Sequence, residues 1–316
     1  MAKINSVLGP IDTADLGFTL MHEHVLVANW AMRHAFGKRS LDRDEHVKRA
    51  VAEVKSAKER GVRTLVDLTP INLGRDIGVI REVAEKAEMQ IIAATGLYWI
   101  EEPWLQGWQA DQLVEFLIKD ITDGIEGTGA KAGIIKAATD HLGVTDLNKK
   151  TLQVAARLHR ATGVPISTHT NVQHRTGLAQ QDVFAEEGVD LTRVVIGHTG
   201  DSEDIAYIEA ILKRGSFIGM DRFGLNQMLS MEKRVSVIAQ LCKKGYADRM
   251  VLAHDACCRI DWFPDGVIQQ MVPQWNFRHI PDDVIPALRK EGVPEEQIGM
   301  MTVDNPRRVF EKQGAY

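Results

Sequence analysis

The sequence predicts an α/β chain folded as a (β/α)8 TIM barrel with a long loop after strand 8. Short apolar, β-branched runs alternate with amphipathic segments rich in Ala, Glu, Lys and Arg from near residue 17 to the end, the pattern of βαβ units. Eight such runs are present, and a strand followed by a helix eight times over is the barrel count. No Ser/Gly/Pro-rich linker or charge run breaks the series, so residues 1–316 read as a single domain.

The predicted strands span residues 19–27, 64–68, 91–96, 133–138, 165–169, 194–198, 216–221 and 250–254. Helices are expected between them at about 44–60, 77–88, 110–125, 147–162, 176–187, 203–214 and 231–244. One more is expected near 281–291, with a final turn after Pro306. Asp44, Asp146 and the pair Asp201-Ser202 supply start signals, and Gly61, Gly163, Gly215 and Gly245 supply stops. Residues 256–280 do not fit the repeat. They are too long for an ordinary βα connection and carry Trp262, Phe263, Met271, Trp275 and Phe277, so they are expected to serve function.

A hydrophobic fraction of 44% and a charged fraction of 26% permit a sizeable core. The net charge of -5 comes without a basic cluster, which argues against nucleic acid as a partner. No apolar stretch is long enough to span a membrane, and the first twenty residues lack a secretory pattern, so the expected location is cytoplasmic. Three cysteines, Cys242, Cys257 and Cys258, suit reduced thiols better than a disulfide framework.

His22-Glu23-His24 falls in the first strand, where side chains alternate, so the two imidazoles share a face and Glu23 takes the other. On its own the triplet fits packed histidines as well as metal ligands. Lys136, His169, His198 and Asp255 each lie at or just past the C-terminal end of a predicted strand, the end where barrel active sites gather. Six polar groups converging on one mouth would lack partners as plain core residues, whereas imidazole nitrogen and carboxylate oxygen suit zinc, cobalt, manganese or iron. Lys136 ends an apolar run that disfavours its charged form. The residues alone leave it open as a salt-bridge partner, a Schiff-base lysine or a neutral amine able to form a carbamate.

Leu8-Gly9-Pro10, then the run from Gly17 to His24, Ile135-Lys136-Ala137, Thr168-His169-Thr170, Gly197-His198 and Ala253-His254-Asp255 follow one another in a distinctive order and spacing. By these motifs, from about residue 5 to about 312, the chain resembles the phosphotriesterase-like lactonases of the amidohydrolase superfamily. The resemblance implies that His22, His24, Asp255 and Lys136 as N6-carboxylysine hold one divalent metal. It implies that Lys136, His169 and His198 hold the other, with a nucleophilic hydroxide shared between the two. It further implies a homodimer, a lactone substrate and lining positions for Tyr98, Arg222, Cys257 and Trp262, of which Tyr98 and Arg222 are also expected to be catalytic; Asp255 is expected to pass a proton to the departing alkoxide. N-acyl homoserine lactones, with a polar ring at the metals and an acyl chain along Trp262, Phe263, Ile268, Met271 and Trp275, are the expected substrates, and phosphotriesters such as paraoxon the weaker ones. A dedicated phosphotriesterase and a lactonase for other γ- or δ-lactones are the alternatives. A metal-bound protein without turnover would predict a broken ligand set.

Overall fold

The computed structural model describes residues 2–312 and 314–316. A hairpin of β1 (Lys3–Ser6) and β2 (Gly9–Asp12) precedes the barrel. Eight parallel strands follow: β3 (Phe18–Glu23), β4 (Val62–Asp67), β5 (Gln90–Gly96), β6 (Ile134–Ala138), β7 (Ile166–His169), β8 (Val194–Ile196), β9 (Phe217–Met220) and β10 (Met250–Leu252). They pair in sequence order, each strand beside the next, as in a (β/α)8 barrel.

The barrel closes through backbone just beyond the outer strands. Asp255 N–H donates to the His22 carbonyl at 2.9 Å, His24 N–H to the Ala256 carbonyl at 2.8 Å, and Val27 N–H to the Arg259 carbonyl at 2.9 Å. The first strand is therefore shorter than the expected 19–27. Its alternation persists after Glu23 because residues 24–27 pair with the segment following β10, not with a barrel strand.

The outer layer comprises α1 (Trp30–Phe36), α2 (Arg43–Lys58), α3 (Ile77–Ala87), α4 (Ala110–Thr122), α5 (Asp146–Thr162), α6 (Thr176–Glu186), α7 (Ile205–Lys213) and α8 (Met231–Lys243). After β10 come α9 (Val267–Met271), α10 (Ile285–Lys290), α11 (Glu295–Gly299) and α12 (Asn305–Glu311). The caps differ slightly from the expected ones: Asp42, Thr145 and Asp204, not Asp44, Asp146 and Asp201-Ser202, accept the first-turn N–H groups of α2, α5 and α7. Gly163, at φ +79°, ends α5 as expected. Hairpin β1–β2 and helix α1 were not anticipated.

Two apolar layers position the site. Strand residues facing outward pack on the helices, while Met21, Val66, Ile92, Ile134, Val195, Phe217 and Val251 fill the lumen. Ile4 of β1 and Val309 and Phe310 of α12 join the lumen cluster, so its floor is sealed and polar groups gather at the strands' C-terminal ends. No helix is long and apolar enough to cross a membrane among the described residues. All three cysteines are free.

Candidate metal centre

The barrel mouth brings together all six residues singled out in the sequence as ligands. His22 and His24 have ring centroids 5.5 Å apart on the lumen side, which Met21 also faces because the β3–β4 register shifts between Leu20 and Glu23. Lys136 Nζ lies 2.8 Å from His22 Nε2. Asp255 Oδ1 lies 3.0 Å from His24 Nε2 and 3.3 Å from His22 Nε2, and His198 Nε2 is 2.9 Å from His169 Nδ1. His198 and Asp255 sit in the left-handed region, at φ +59° and +56°, where non-glycine residues are strained. Such strain is found where the surrounding structure holds a functional side chain in place.

Outer partners fix the rings. Asp221, the first residue past β9, accepts from His22 Nδ1–H through Oδ2 at 2.8 Å and from His198 Nδ1–H through Oδ1 at 3.0 Å. The His198 backbone N–H adds a third bond at 2.7 Å. A methyl group at Gly219 would fall 2.3 Å from Asp221 Oδ2, and one at Gly197 3.1 Å from it, so two glycines leave room for this carboxylate. His24 Nδ1 is held by Thr69 Oγ1 at 2.7 Å, and His169 Nε2 by Asp140 Oδ2 at 3.0 Å. Glu23 points away from the cluster, as expected, but has a definite task. It accepts from His254 Nδ1–H at 2.6 Å and from the backbone N–H groups of His254 and Ala256, both at 3.0 Å, bracing the segment that carries Asp255.

This donor set fits divalent cations. With their outer nitrogens protonated towards Asp221 and Asp140, His198 Nε2 and His169 Nδ1 are two lone pairs facing each other at 2.9 Å, an arrangement that a cation between them relieves. His22, His198 and Asp255 offer ligand atoms all within 4.8 Å of one another. Burial, aided by the nearby Lys136 charge, draws His22 down to about 4, favouring the neutral imidazole that metals bind. Burial likewise draws Lys136 down to about 8. Its Nζ makes no ion pair among the described residues, which removes the salt-bridge reading of this lysine.

Tyr98, 7% exposed, places its hydroxyl 3.3 Å from His169 Nδ1. Arg222 Nε donates to Asp255 Oδ2 at 2.9 Å and its Nη1 to Asp201 Oδ2 at 3.0 Å. Asp201 is held in turn by the fully buried Arg234 at 2.6 Å. The guanidinium at the mouth is therefore paired with two carboxylates through Nε and Nη1. Burial pushes the Cys257 thiol well above its ordinary range, which keeps it in the neutral form against the cavity wall.

Above the cluster opens a cavity of about 240 Å³ lined by His24, Lys136, His169 and Asp255 on the polar side. Val27, Leu73, Leu225, Ile260, Phe263 and Ile268 form apolar walls, with Tyr98, Arg222, Cys257, Trp262 and Trp275 also lining it. Trp262, 54% exposed, stands at the rim. Residues 256–280 divide their labour. Met271 is exposed and lines neither this cavity nor an adjacent one of about 460 Å³ behind Cys257, Ile268 and Trp275, while Phe277 is buried in the core.

The Phosphotriesterase family model matches residues 2–310. The chain belongs to the phosphotriesterase family. Membership makes it a metal-dependent hydrolase, in keeping with the cluster of imidazoles and carboxylates at the mouth. It is 47% identical to a phosphotriesterase homology protein of Mycobacterium tuberculosis (strain ATCC 25618 / H37Rv), covering 100% of both chains. It is 40% identical to an aryldialkylphosphatase of Saccharolobus solfataricus over 95% of this chain and 96% of that one. The solved structure of the phosphotriesterase from Mycobacterium tuberculosis superposes with a TM-score of 0.96 at 47% identity and 100% coverage of both chains.

Asp221, Asp140, Glu23, Asp201 and Arg234 were not anticipated in the phosphotriesterase-family site. Asp221 ends a predicted strand, so the strand-end rule that found Lys136 and His169 could have found it as well.

Proposed function

We propose that this phosphotriesterase-family hydrolase opens lactone rings, with N-acyl homoserine lactones as its main substrates and phosphotriesters such as paraoxon as weaker ones. The observation that carries the reading is the cavity: polar groups sit on one side, the walls are apolar, and the one arginine is already paired with two carboxylates. Such a pocket suits an uncharged substrate with one electrophilic centre and a greasy substituent. A relative 24% identical is named an N-acetyltaurine hydrolase, but a sulfonate directed at Arg222 would have to compete with Asp255 and Asp201, which already hold that guanidinium. The aryldialkylphosphatase relative favours a second reading, a dedicated phosphotriesterase. Steady-state kcat/KM for acyl homoserine lactones, other γ- and δ-lactones and paraoxon separates the readings, and a higher value for paraoxon than for every lactone overturns the first.

In this reading His22, His24, Lys136 and Asp255 hold one ion and Lys136, His169 and His198 the other, with Lys136 as N6-carboxylysine and zinc, or else cobalt, iron or manganese, as the metal. Two divalent ions there supply Lewis acidity and lower the pKa of water towards neutrality. The chain's own residues do the rest. Tyr98 offers its hydroxyl to a substrate oxygen, and the apolar walls exclude bulk water from the reacting bond. Arg222 anchors Asp255 Oδ2, which keeps the carboxylate oriented to carry a proton to the leaving alkoxide.

At about 240 Å³ the cavity accommodates the ring and the start of an acyl chain, so the distal chain runs out beside Trp262. Trp262→Ala is expected to lower kcat/KM for long-chain lactones about 5- to 15-fold, or roughly 1–1.5 kcal/mol, because a half-exposed indole yields only part of a full burial energy. Short-chain lactones should change less than twofold. Equal loss on both chain lengths, with metal content unchanged, would show that the rim does not read the chain.

The same family reading gives a homodimer. Helix α1 buries none of its residues and leaves Trp30, Met32 and Phe36 exposed, apolar surface that a second copy would cover. Sedimentation at micromolar concentration should give twice the chain mass, and a monomer counts against it.

A further inference from the structure

Of the four clustered imidazoles, three turn Nε2 inward and His169 alone turns Nδ1 inward. Its Nδ1 lies 2.9 Å from His198 Nε2, while its Nε2 points outward to Asp140 Oδ2 at 3.0 Å. Asp140 stands two residues beyond β6, the strand that carries Lys136. Its other oxygen, Oδ1, accepts from Asn171 Nδ2 at 2.9 Å and from the His141 backbone N–H at 2.7 Å. Asn171 has no freedom to turn its amide over, because its Oδ1 accepts the backbone N–H groups of Gln173 at 3.1 Å and His174 at 3.2 Å.

Three donors thus converge on the two oxygens of Asp140. A carboxylate that accepts from three sides requires hydrogen on His169 Nε2, and a neutral imidazole with that proton has its lone pair on Nδ1. We propose that Asp140, locked by Asn171, is a positioning residue that fixes His169 in the Nε2–H tautomer and aims its Nδ1 lone pair at one of the two metal positions. The proposal rests on the reading of His169 as a ligand. Asp140 differs from Asp221 in serving one ring of the cluster, its other imidazole neighbour being the exposed His141 at 3.9 Å, so its loss should fall on one metal.

The test uses Asp140→Ala, Asp140→Asn and Asn171→Ala, with metal affinities measured by titrating the metal-free protein with zinc against a chromophoric chelator. An asparagine at 140 has one acceptor oxygen for three donors, so Asp140→Asn should resemble Asp140→Ala. In both, one zinc equivalent should weaken about 10- to 100-fold, the range for loss of an outer partner, while the other keeps its wild-type affinity. Asn171→Ala should move the same equivalent by a smaller factor. Imidazole 15N NMR of the metal-free wild type should show His169 protonated at Nε2, and Asp140→Ala should give a mixture of tautomers with an unchanged melting temperature. The proposal is overturned if both equivalents keep their affinity in Asp140→Ala, if both weaken equally, or if the tautomer is unchanged. Wild-type protein that holds no zinc would instead overturn the metal-centre reading beneath it.

Discussion

Lys136→Ala is expected to lower kcat/KM by about 10³ or more for lactones and phosphotriesters alike, a loss of roughly 4 kcal/mol or more in transition-state stabilisation. Bound metal should fall from two equivalents to fewer than one. Lys136 is 1% exposed, and among the described residues its Nζ makes one hydrogen-bond contact, with His22 Nε2. In the proposed centre it is the one side chain common to both ions, so its removal takes a ligand from each. The backbone should tolerate the change. Residue 136 is held in β6 by pairing with Gly96 on β5 and Ser167 on β7, and those bonds do not involve the side chain. Short carboxylic acids added to the variant should restore part of both metal and activity, since a small carboxylate can stand where the carbamate oxygens would be. Elemental analysis that found two tightly held metals in Lys136→Ala would refute the bridging role. Failure of carboxylates to rescue, with metal lost, would leave the lysine essential but argue against a carbamate.

Much of this architecture is legible in the sequence because barrel strands announce themselves as short β-branched runs between amphipathic helices. The departures from that pattern have particular physical causes. Residues 24–27 carry on the strand pattern, but pattern reports which face is buried and not which backbone lies alongside, and here it is the segment after β10. The hairpin β1–β2 has strands of four residues with Asn5, Ser6 and Gly9 among them, too brief and too polar for alternation to register. The 256–280 loop has no period, so its aromatics could not be sorted in advance into cavity wall (Trp262, Phe263), core (Phe277) and exposed surface (Met271).

The ligand candidates were legible for a different reason: they lie at strand ends, where the barrel fixes their meeting point. Their outer partners are harder to see. An Asp after a strand is usually a helix cap or a turn residue, and nothing near Asp140 in sequence reveals that β6–β7 pairing sets it against His169, 29 residues away. Arg234 and Asp201 meet only because α8 packs against the turn that follows β8. Residue type and position along a strand predict which groups reach the mouth, whereas tautomers and carboxylate orientation depend on contacts between different strands.

Asp255→Asn should depress every substrate together, by roughly 10² to 10⁴ in kcat, the range for removal of a proton-transfer group. The substitution isolates charge and proton handling from backbone shape. Asparagine tolerates the left-handed conformation that residue 255 adopts at φ +56°, so the turn and its bond from the 255 N–H to the His22 carbonyl should survive. What changes is the side chain's other business. Oδ2 accepts from Arg222 Nε while Oδ1 faces His22 and His24, and an amide has one oxygen for two such tasks. If the amide oxygen stays with Arg222, an NH2 group is turned towards the histidines. If it turns inward, Arg222 loses a partner and keeps only Asp201. Either outcome acts at the reacting bond and not along the acyl chain, so the ratio of long-chain to short-chain kcat/KM should stay at its wild-type value, the reverse of the pattern expected for Trp262→Ala. Metal analysis divides the two roles assigned to Asp255. A variant that keeps two equivalents and still loses at least 10² in kcat has lost the proton path, whereas one whose activity returns with excess metal has lost a ligand. Asp255→Asn with undiminished kcat and full metal content would remove Asp255 from the mechanism altogether.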